Sequence, residues 1–214
     1  NSLPNIHTSM YVKFMNQIKA NLNDERSRQT QARLIDATNS ALIDLGFSRT
    51  TGVEICRRAG LTRGALNHHF ADLADLYVAA LHSVYERLTG SDDGTSSDLK
   101  TLEQLVQRSY QRITQPEFKV VIELWLASRN DPDFGSRLAA AIAEGASMFS
   151  PEALLASPGL ERNSEIARTY RMIVEALIGL GLGRVVNEGK AVAHEGEVVA
   201  MLMQLARNAD VSSN

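Results

Sequence analysis

The stretch Thr50–Phe70, TTGVEICRRAGLTRGALNHHF, contains two short predicted helices separated by a tight turn. Thr51 and Glu54 have the spacing of a capping box, in which the threonine hydroxyl accepts the glutamate N–H and the glutamate side chain reaches back. Gly60 can adopt the left-handed conformation that ends a helix, and Thr62 can cap the helix that follows. The spacing therefore predicts a helix-turn-helix.

The second helix of the pair has an apolar side and a polar side. Leu66 and Phe70 are four residues apart, so they share a face and are predicted to be buried. A helix-turn-helix reads base edges in the DNA major groove with the N-terminal residues of its second helix. We therefore predict a DNA-binding surface on this helix and its N-terminal flank. Its candidate residues are Thr50, Thr51, Thr62, Arg63, Gly64, Asn67, His68 and His69.

Helical patterns lie on both sides of this pair. Apolar and small residues recur at helical spacing over Arg33–Leu45, and Gly46 and Phe47 end that pattern. Leu73–Leu88 repeats apolar residues in the same way and predicts a long helix that leaves the module. We assign residues 26–72 to a helix-turn-helix DNA-binding domain.

Residues 1–25 are assigned to an N-terminal extension. Asn1–Ser9 is polar and is predicted to be irregular, and an expression vector could have supplied part of it. Tyr11–Leu22 could form an additional amphipathic helix, whose Lys13 and Lys19 either contact DNA or face solvent.

Charge is distributed unevenly along the chain. Residues 26–70 contain seven arginines and three acidic residues, a formal charge of +4, whereas the whole chain carries −3. Residues 1–25 contain two lysines and two acidic residues, so residues 71–214 must sum to −7. A basic module on an acidic body is expected where one end of a protein meets phosphate. A solvated charged face is the alternative, and the turn pattern disfavours it.

Taken together, residues 28–77 resemble the TetR family of bacterial transcriptional regulators. The resemblance rests on Arg33, Ala37, Leu45-Gly46-Phe47, Thr50-Thr51, Glu54-Ile55, Ala59-Gly60-Leu61-Thr62, Gly64, Leu66, His69-Phe70 and Leu76. It implies a homodimer that binds a palindromic operator, usually as a repressor, and is released from DNA by a ligand in the C-terminal domain. Family members commonly have a tyrosine in place of Asn67 and a lysine in place of Leu73, each facing a phosphate, so two phosphate contacts are altered here.

The remainder of the chain is predicted to contain about six helices, without β-type alternation. The last two long helices, from Asn163 or Ser164 onward and over about Glu197–Asn208, are mostly apolar, so they must be buried in a core or against another subunit. The predicted fold is all-α. It combines the N-terminal three-helix DNA-binding domain with a C-terminal helical domain for ligand binding and dimerisation over residues 73–214.

Candidate effector-binding residues are aromatic, methionine and arginine side chains of the C-terminal domain. Trp125 and Arg129 share a helix face, and an arginine beside aromatic rings could bind an anionic effector. A salt bridge from Arg129 to Glu123 or Asp133 would explain it equally well, and aromatic residues at helical spacing more often belong to the core. The candidates are Tyr85, Tyr110, Phe118, Trp125, Arg129, Met148, Phe149, Tyr170 and Met172.

Other classes of protein are disfavoured by the sequence. No run of 18 apolar residues and no secretory signal occurs, and the single cysteine, Cys56, cannot form an intramolecular disulfide, so we expect a cytoplasmic protein without a membrane partner. Cys56 is predicted to be a small buried hydrophobic residue rather than a redox sensor.

Enzyme motifs are also missing. Gly179 to Gly183 (GLGLG) lacks the dinucleotide-binding spacing, and no P-loop sequence occurs. His68 and His69 are adjacent, so on a helix they diverge by about 100° and cannot grip one metal ion together. We predict no enzyme activity, no metal and no cofactor.

The predicted function is that of a ligand-responsive transcriptional regulator. Its expected partners are a double-stranded DNA operator, a second copy of the chain and a small-molecule effector of unassigned class. The alternative is a helical ligand sensor or protein-interaction module with weakened DNA binding, which the residues at Asn67 and Leu73 indicate.

Overall fold

The computed structural model describes residues 6–90, 101–147 and 164–211 of the chain. Within these ranges all regular structure is helical, so the all-α class is confirmed. The helices are α1 (Ile6–Leu45), α2 (Gly52–Ala59), α3 (Arg63–His69), α4 (Leu73–Gly90), α5 (Leu102–Thr114), α6 (Phe118–Asn130), α7 (Pro132–Ser147), α8 (Ser164–Val186) and α9 (Glu195–Val211), and a 3-10 turn lies at Phe47–Arg49.

The first helix, α1, is one continuous segment of 40 residues. The prediction of an irregular start at Asn1–Ser9 is wrong from Ile6 onward, and the separate helices predicted over Tyr11–Leu22 and Arg33–Leu45 belong to this single helix. Residues 23–32 between them are mostly polar and exposed, so the apolar periodicity is lost there, yet no glycine or proline interrupts the backbone. The expected domain boundary at residue 25 therefore falls inside α1.

Helices α1 to α3 and the start of α4 form the N-terminal domain around a small hydrophobic cluster. This HTH cluster consists of Leu34, Ala37, Ile55, Cys56, Ala59, Leu66, Phe70 and Leu76. Leu66 and Phe70 are buried, as their spacing predicts, and Cys56 is buried as a small hydrophobic side chain. Leu73 packs against both this cluster and the core of the body, which gives an apolar residue at this position a structural role.

The C-terminal body surrounds a second, larger core. Helix α5 packs against α8 and α9, while α4, α6 and α7 pack against one another. Phe118, Leu124 and Tyr170 are among its fully buried side chains. The arrangement of an N-terminal helix-turn-helix followed by a helical domain is therefore confirmed.

Local caps set the helix starts in the body. Helix α5 begins with a capping box, in which Thr101 Oγ1 accepts the Gln104 N–H and Gln104 Oε1 accepts the Thr101 N–H, each at 3.2 Å. Helix α7 begins where Asp131 Oδ1 accepts the Phe134 N–H at 3.1 Å.

Helix α6 attaches the end of α1 to the body. The Lys119 ammonium donates to the Ile43 carbonyl at 2.5 Å, and Glu123 Oε2 accepts the Phe47 N–H at 2.8 Å. The chain turns between these two contacts at Gly46, whose φ of 76° favours glycine. A side chain at Gly46 would also lie 3.2 Å from both Glu123 carboxylate oxygens. We call the Lys119 and Glu123 contacts the α6 clamp.

A second attachment joins α7 to the start of α4. The Arg137 guanidinium forms ion pairs with Asp72, at 2.6 Å, and with Asp75. These contacts hold the pKa of Asp72 below its ordinary value, chiefly through the hydrogen bond from Arg137. The N-terminal domain is thus fixed to the body on two sides.

Candidate nucleic-acid interface

The first helix of the helix-turn-helix, α2, is capped at both ends. Thr51 Oγ1 accepts the Glu54 N–H at 3.3 Å, and Gly60 ends the helix in the left-handed conformation with a φ of 61°. The two ends of α2 are therefore where the sequence predicts them.

The Glu54 carboxylate does not complete the predicted capping box. Its oxygens accept hydrogen bonds from Arg57 at 2.6 and 2.7 Å and from Arg58 at 2.7 Å. Charged donors three and four residues later compete better for a carboxylate than a backbone N–H does. Hydrogen bonds from Arg57 and then Arg58 lower the pKa of Glu54 to about 2.

The second helix, α3, starts where Thr62 Oγ1 accepts the Ala65 N–H at 3.1 Å. Thr62, Arg63, Gly64, Asn67 and His68 are all exposed on or beside this helix. His69 is half-buried, and its ring packs edge-on against that of His68 at 5.2 Å between centroids. Most of the predicted DNA-binding set is therefore open to solvent at α3, with the cap residue at one end.

The two threonines before α2 differ in their surroundings. Thr51 is exposed, whereas Thr50 is only 2% exposed. The Thr50 hydroxyl donates to the Gly46 carbonyl at 2.8 Å, and its own carbonyl accepts from the Tyr77 hydroxyl. Thr50 therefore positions the entry to α2 from inside the domain, in place of the predicted side-chain contact with DNA.

Internal contacts engage several of the arginines that make this module basic. Arg58 donates to Asp44 at 2.5 Å as well as to Glu54, and Arg33 donates to the Ala59 carbonyl at 2.6 Å. Arg63 differs, because no carboxylate among the described residues pairs with it. The charge most available at the start of α3 is therefore that of Arg63.

Gly52 makes room for Arg63. The Arg63 guanidinium occupies the space that a side chain at Gly52 would need, and Leu73 Cδ2 would lie 3.3 Å from such a Cβ. Sequence analysis did not identify this role, because a glycine at the first position of a helix has no distinctive local pattern.

The candidate effector residues take part in several separate contacts within the body. Tyr85 is 3% exposed, and its hydroxyl accepts from Trp125 Nε1 at 3.3 Å; burial raises its pKa to about 12. Tyr170 is also buried, and its hydroxyl shares a hydrogen bond with Ser109 at 3.0 Å. These three aromatic residues pack as part of the body.

The other candidates lie elsewhere. The Tyr110 hydroxyl donates to Glu195 at 2.8 Å, while Arg129 and Met172 are exposed. Met148 and Phe149 lie outside the described residues. Of the described candidates, the structure thus joins Tyr85 and Trp125 by a hydrogen bond and places Tyr110 in a separate contact with Glu195.

Two cavities lie where the N-terminal domain meets the body. The larger, of about 510 Å³, is the junction cavity, bounded by the end of α1, the turn between α5 and α6 and the end of α8. The smaller, of about 330 Å³, lies beneath Phe47, Tyr77 and Phe134. Of the described effector candidates, Phe118 lines the junction cavity and none lines the smaller one.

The described ranges contain neither a candidate metal-binding cluster nor a candidate membrane-spanning helix. No group of three or more histidine, cysteine, aspartate or glutamate side chains is placed there to hold a metal ion. Across the same ranges, none of the helices has the length and apolar character needed to cross a membrane.

Comparison with known proteins identifies the N-terminal domain. Residues 34–80 match the model of the bacterial regulatory proteins of the tetR family. The regulator CymR of Pseudomonas putida is 27% identical over 112 residues, which cover 50% of this chain and 55% of CymR. The regulator TtgR, also of Pseudomonas putida, is 40% identical over 62 residues, which cover 29% of this chain and 30% of TtgR. The chain thus spans about half the length of the first relative and less than a third of the second.

A solved structure shows the same fold over most of the chain. A TetR-family member from Streptomyces coelicolor has a TM-score of 0.60 and 23% identity, and the match covers 83% of this chain and 98% of that one. The helix-turn-helix geometry, the family model and these relatives agree. Residues 34–80 thus form the N-terminal domain of the tetR family of bacterial regulatory proteins, and the fold over most of the chain is that of a solved TetR-family structure.

Proposed function

We propose that this protein is a transcriptional repressor that binds a palindromic operator as a homodimer and leaves it when a small-molecule effector binds. The observation that carries the proposal is the exposed surface of α3, where Arg63 stands beside Thr62, Asn67 and His68 without a carboxylate partner among the described residues. The repressor role itself comes from the family resemblance.

The residues on and near α3 are expected to make base contacts more than phosphate contacts. Residues near the N-terminus of a recognition helix reach base edges, and an arginine there can make two hydrogen bonds to a guanine. Leu73 packs inside the protein and offers no charge to a phosphate, so non-specific affinity should be modest. We therefore expect specificity to depend on Arg63 more than on the number of phosphate contacts.

The exposed apolar residues of the last two helices support a dimer. Leu182 and Val186 are four residues apart on α8 and are 42% and 80% exposed, and Met201 and Leu205 are four apart on α9 and are 71% and 40% exposed. A second copy of this surface would bury these side chains in a four-helix interface. In such a dimer the two α3 helices would be about 34–36 Å apart, one turn of DNA.

The effector part of the proposal is supported by the cavities. Both lie between the N-terminal domain and the body, so a bound molecule there would touch the elements that hold the helix-turn-helix in place. Release would follow if the bound form of the protein favoured a different placement of α3.

An electrophoretic mobility-shift titration tests the DNA-binding part. The full chain is titrated against its own promoter region and against unrelated DNA of the same length, at two salt concentrations. We expect specific binding to the promoter, and we expect Arg63→Ala to weaken it by about tenfold or more, since one bidentate base contact contributes about 1–3 kcal/mol. Arg129→Ala is the matched control, because Arg129 is exposed on the body and its loss removes the same charge.

The opposite result would favour the sensor or interaction module as the function. Equal weak binding to both DNA molecules, unaffected by Arg63→Ala, is incompatible with a sequence-specific regulator. A drop in affinity with Arg129→Ala as large as that with Arg63→Ala would point to a general charge effect.

Light scattering on the purified chain tests the dimer. The wild-type protein should have twice the mass of one chain, and the double variant Val186→Glu with Met201→Glu should be monomeric, because charges replace apolar contacts at the interface. Val53→Glu is the control, since Val53 is 70% exposed on α2, away from α8 and α9. A monomeric wild-type protein would contradict the dimer.

A further inference from the structure

The junction cavity has a mixed lining in which apolar surface exceeds polar surface. Its volume of about 510 Å³ lies within the range of small-molecule sites, roughly 300–1,000 Å³. Ile43, Ile113, Phe118 and Val185 supply its hydrophobic lining. The cavity could therefore accept the apolar part of a small molecule.

The carboxylates of the cavity lie at its rim and have cationic partners. Asp44 is 56% exposed and pairs with Arg58 at 2.5 Å, and Glu188 is 86% exposed and lies 3.6 Å from Lys190. Because solvent and these cations satisfy both carboxylates, neither is a strong site for a cationic ligand.

The two lining cations differ in their partners. Arg184 donates to Glu195 at 2.7 Å, so the charges of this pair cancel. Glu195 is only 3% exposed, so the pair is shielded from solvent. Lys119 has no carboxylate partner in the described part of the chain. Its ammonium donates to the Ile43 carbonyl, and a lysine ammonium has three donors. Lys119 therefore keeps a positive charge and donor capacity within reach of the cavity.

We propose that the junction cavity binds a small amphiphilic carboxylate, with its acidic group on the Lys119 ammonium and its apolar part over Ile43, Ile113 and Val185. This inference rests on the proposed function, because it names the chemical class of the effector. A carboxylate fits better than a neutral polar group, because it accepts the hydrogen bond and also gains the attraction between opposite charges at the Lys119 ammonium.

The position of Lys119 couples binding to the helix-turn-helix. Ile43 is two residues from the end of α1, where carbonyls lack intrahelical partners and carry the negative end of the helix dipole. A carboxylate on another donor of Lys119 partly neutralises the ammonium that faces the Ile43 carbonyl, and it adds negative charge beside this helix end. Binding therefore loosens the end of α1 and the turn at Gly46 that leads to α2.

Titration calorimetry on the full chain without DNA tests the site. The probes are decanoate, decanol and decyltrimethylammonium, which share a ten-carbon chain and differ in head-group charge, each kept below its micellar concentration or, for decanol, its solubility. We expect decanoate to bind about tenfold more tightly than decanol, and decyltrimethylammonium to bind no better than decanol. Lys119→Met should reduce decanoate affinity to the level of decanol, and Lys119→Arg should retain most of it.

Lys190→Met is the matched control, because it removes the same charge from an exposed lysine just outside the cavity. It should leave decanoate binding unchanged. Val185→Trp fills the cavity from α8 while Lys119 itself is unchanged, and it should abolish binding of decanoate and decanol alike. Equal binding of the three probes to the wild-type protein, or decanoate binding that survives both Lys119→Met and Val185→Trp, overturns the proposal.

Adding decanoate to the mobility-shift titration separates this inference from the proposed function. Release of the wild-type protein from its operator by decanoate, but not of Lys119→Met, supports both. Specific DNA binding together with no decanoate binding overturns the effector class and leaves the regulator intact. Lys119-dependent decanoate binding without specific DNA binding supports the site and overturns the regulator.

Discussion

At the scale of single residues, Gly145 shows how closely the helices of the body approach one another. It lies on α7, and the space that a Cβ would need there is occupied by the ring and hydroxyl of Tyr85 on α4. That hydroxyl is also the acceptor for Trp125 Nε1 on α6. The absence of a side chain at Gly145 thus lets three helices meet at one hydrogen bond.

Gly145→Ala should therefore destabilise the body. The buried Tyr85 ring must move, and overpacking of this kind costs about 1–3 kcal/mol of unfolding free energy. Denaturant unfolding measures that loss, and the fluorescence of Trp125, the single tryptophan of the chain, should change as its hydrogen bond breaks. Gly196→Ala on α9 is the control, because no atom lies within 4 Å of its would-be Cβ. Equal stability of the two variants would mean that Tyr85 relaxes without strain.

At the scale of elements, Glu54 organises α2 and links it to α1. It holds both Arg57 and Arg58, and Arg58 continues to Asp44 and Ser40 on α1. The arginine contacts lower the pKa of Glu54 from 4.5 to about 2, so the folded state favours the charged carboxylate. Its contribution to stability is complete above pH 4.5 and is lost as the pH falls toward 2.

The comparison of wild type with Glu54→Gln isolates this contribution from the other carboxylates. Thermal unfolding followed by circular dichroism should show a higher midpoint for wild type at pH 6, and the difference should shrink steadily between pH 4.5 and 2. Glu86→Gln, at an exposed position on α4, should show no such pH-dependent difference. A constant gap between wild type and Glu54→Gln across this range would show that Glu54 acts without its charge.

The same elements show which features a sequence can reveal. The caps at Thr51, Gly60 and Thr62 depend on atoms three to five residues apart, and sequence spacing predicts them correctly. The predicted capping-box contact of the Glu54 side chain is equally short-range, but it is wrong because two arginines compete with the backbone for one carboxylate. Short-range patterns identify the possible donors and acceptors, but they do not show which of the possible hydrogen bonds forms.

Features that join distant parts of the chain were not predictable in this way. Lys119 and Glu123 contact α1 and its following turn across 76 residues of sequence, and no local pattern indicates that contact. The junction cavity depends on three segments far apart in the chain, so the aromatic residues chosen by helical spacing include Phe118 but miss Lys119. The continuity of α1 through its polar middle was missed for a related reason, since apolar periodicity disappears where a helix contacts only solvent.

At the scale of the whole molecule, the N-terminal domain depends on the body for its stability. The HTH cluster contains eight buried hydrophobic residues, whereas the core of the body contains about three times as many. A domain with so small a core is marginal alone. Contacts with the body supply the stability that this small core lacks. They are the α6 clamp, the Arg137 ion pairs and the packing of Leu73 on both cores.

Glu123→Ala tests this dependence directly. The change leaves the Phe47 N–H without its acceptor and should cost about 1–3 kcal/mol, since an unsatisfied donor loses more than the bond itself is worth. Because Phe47 begins the turn into α2, the loss should concentrate in the N-terminal domain. Hydrogen-exchange mass spectrometry should show faster exchange in α2 and α3, with α5 and α8 nearly unchanged. Glu103→Ala, which removes the ion pair to Arg207 at the far end of the body, should leave α2 and α3 protected. Uniform loss of protection across all helices in Glu123→Ala would mean instead that the two domains open only as one unit. An effector at the junction would then act on the stability of the whole protein and not on the placement of α3.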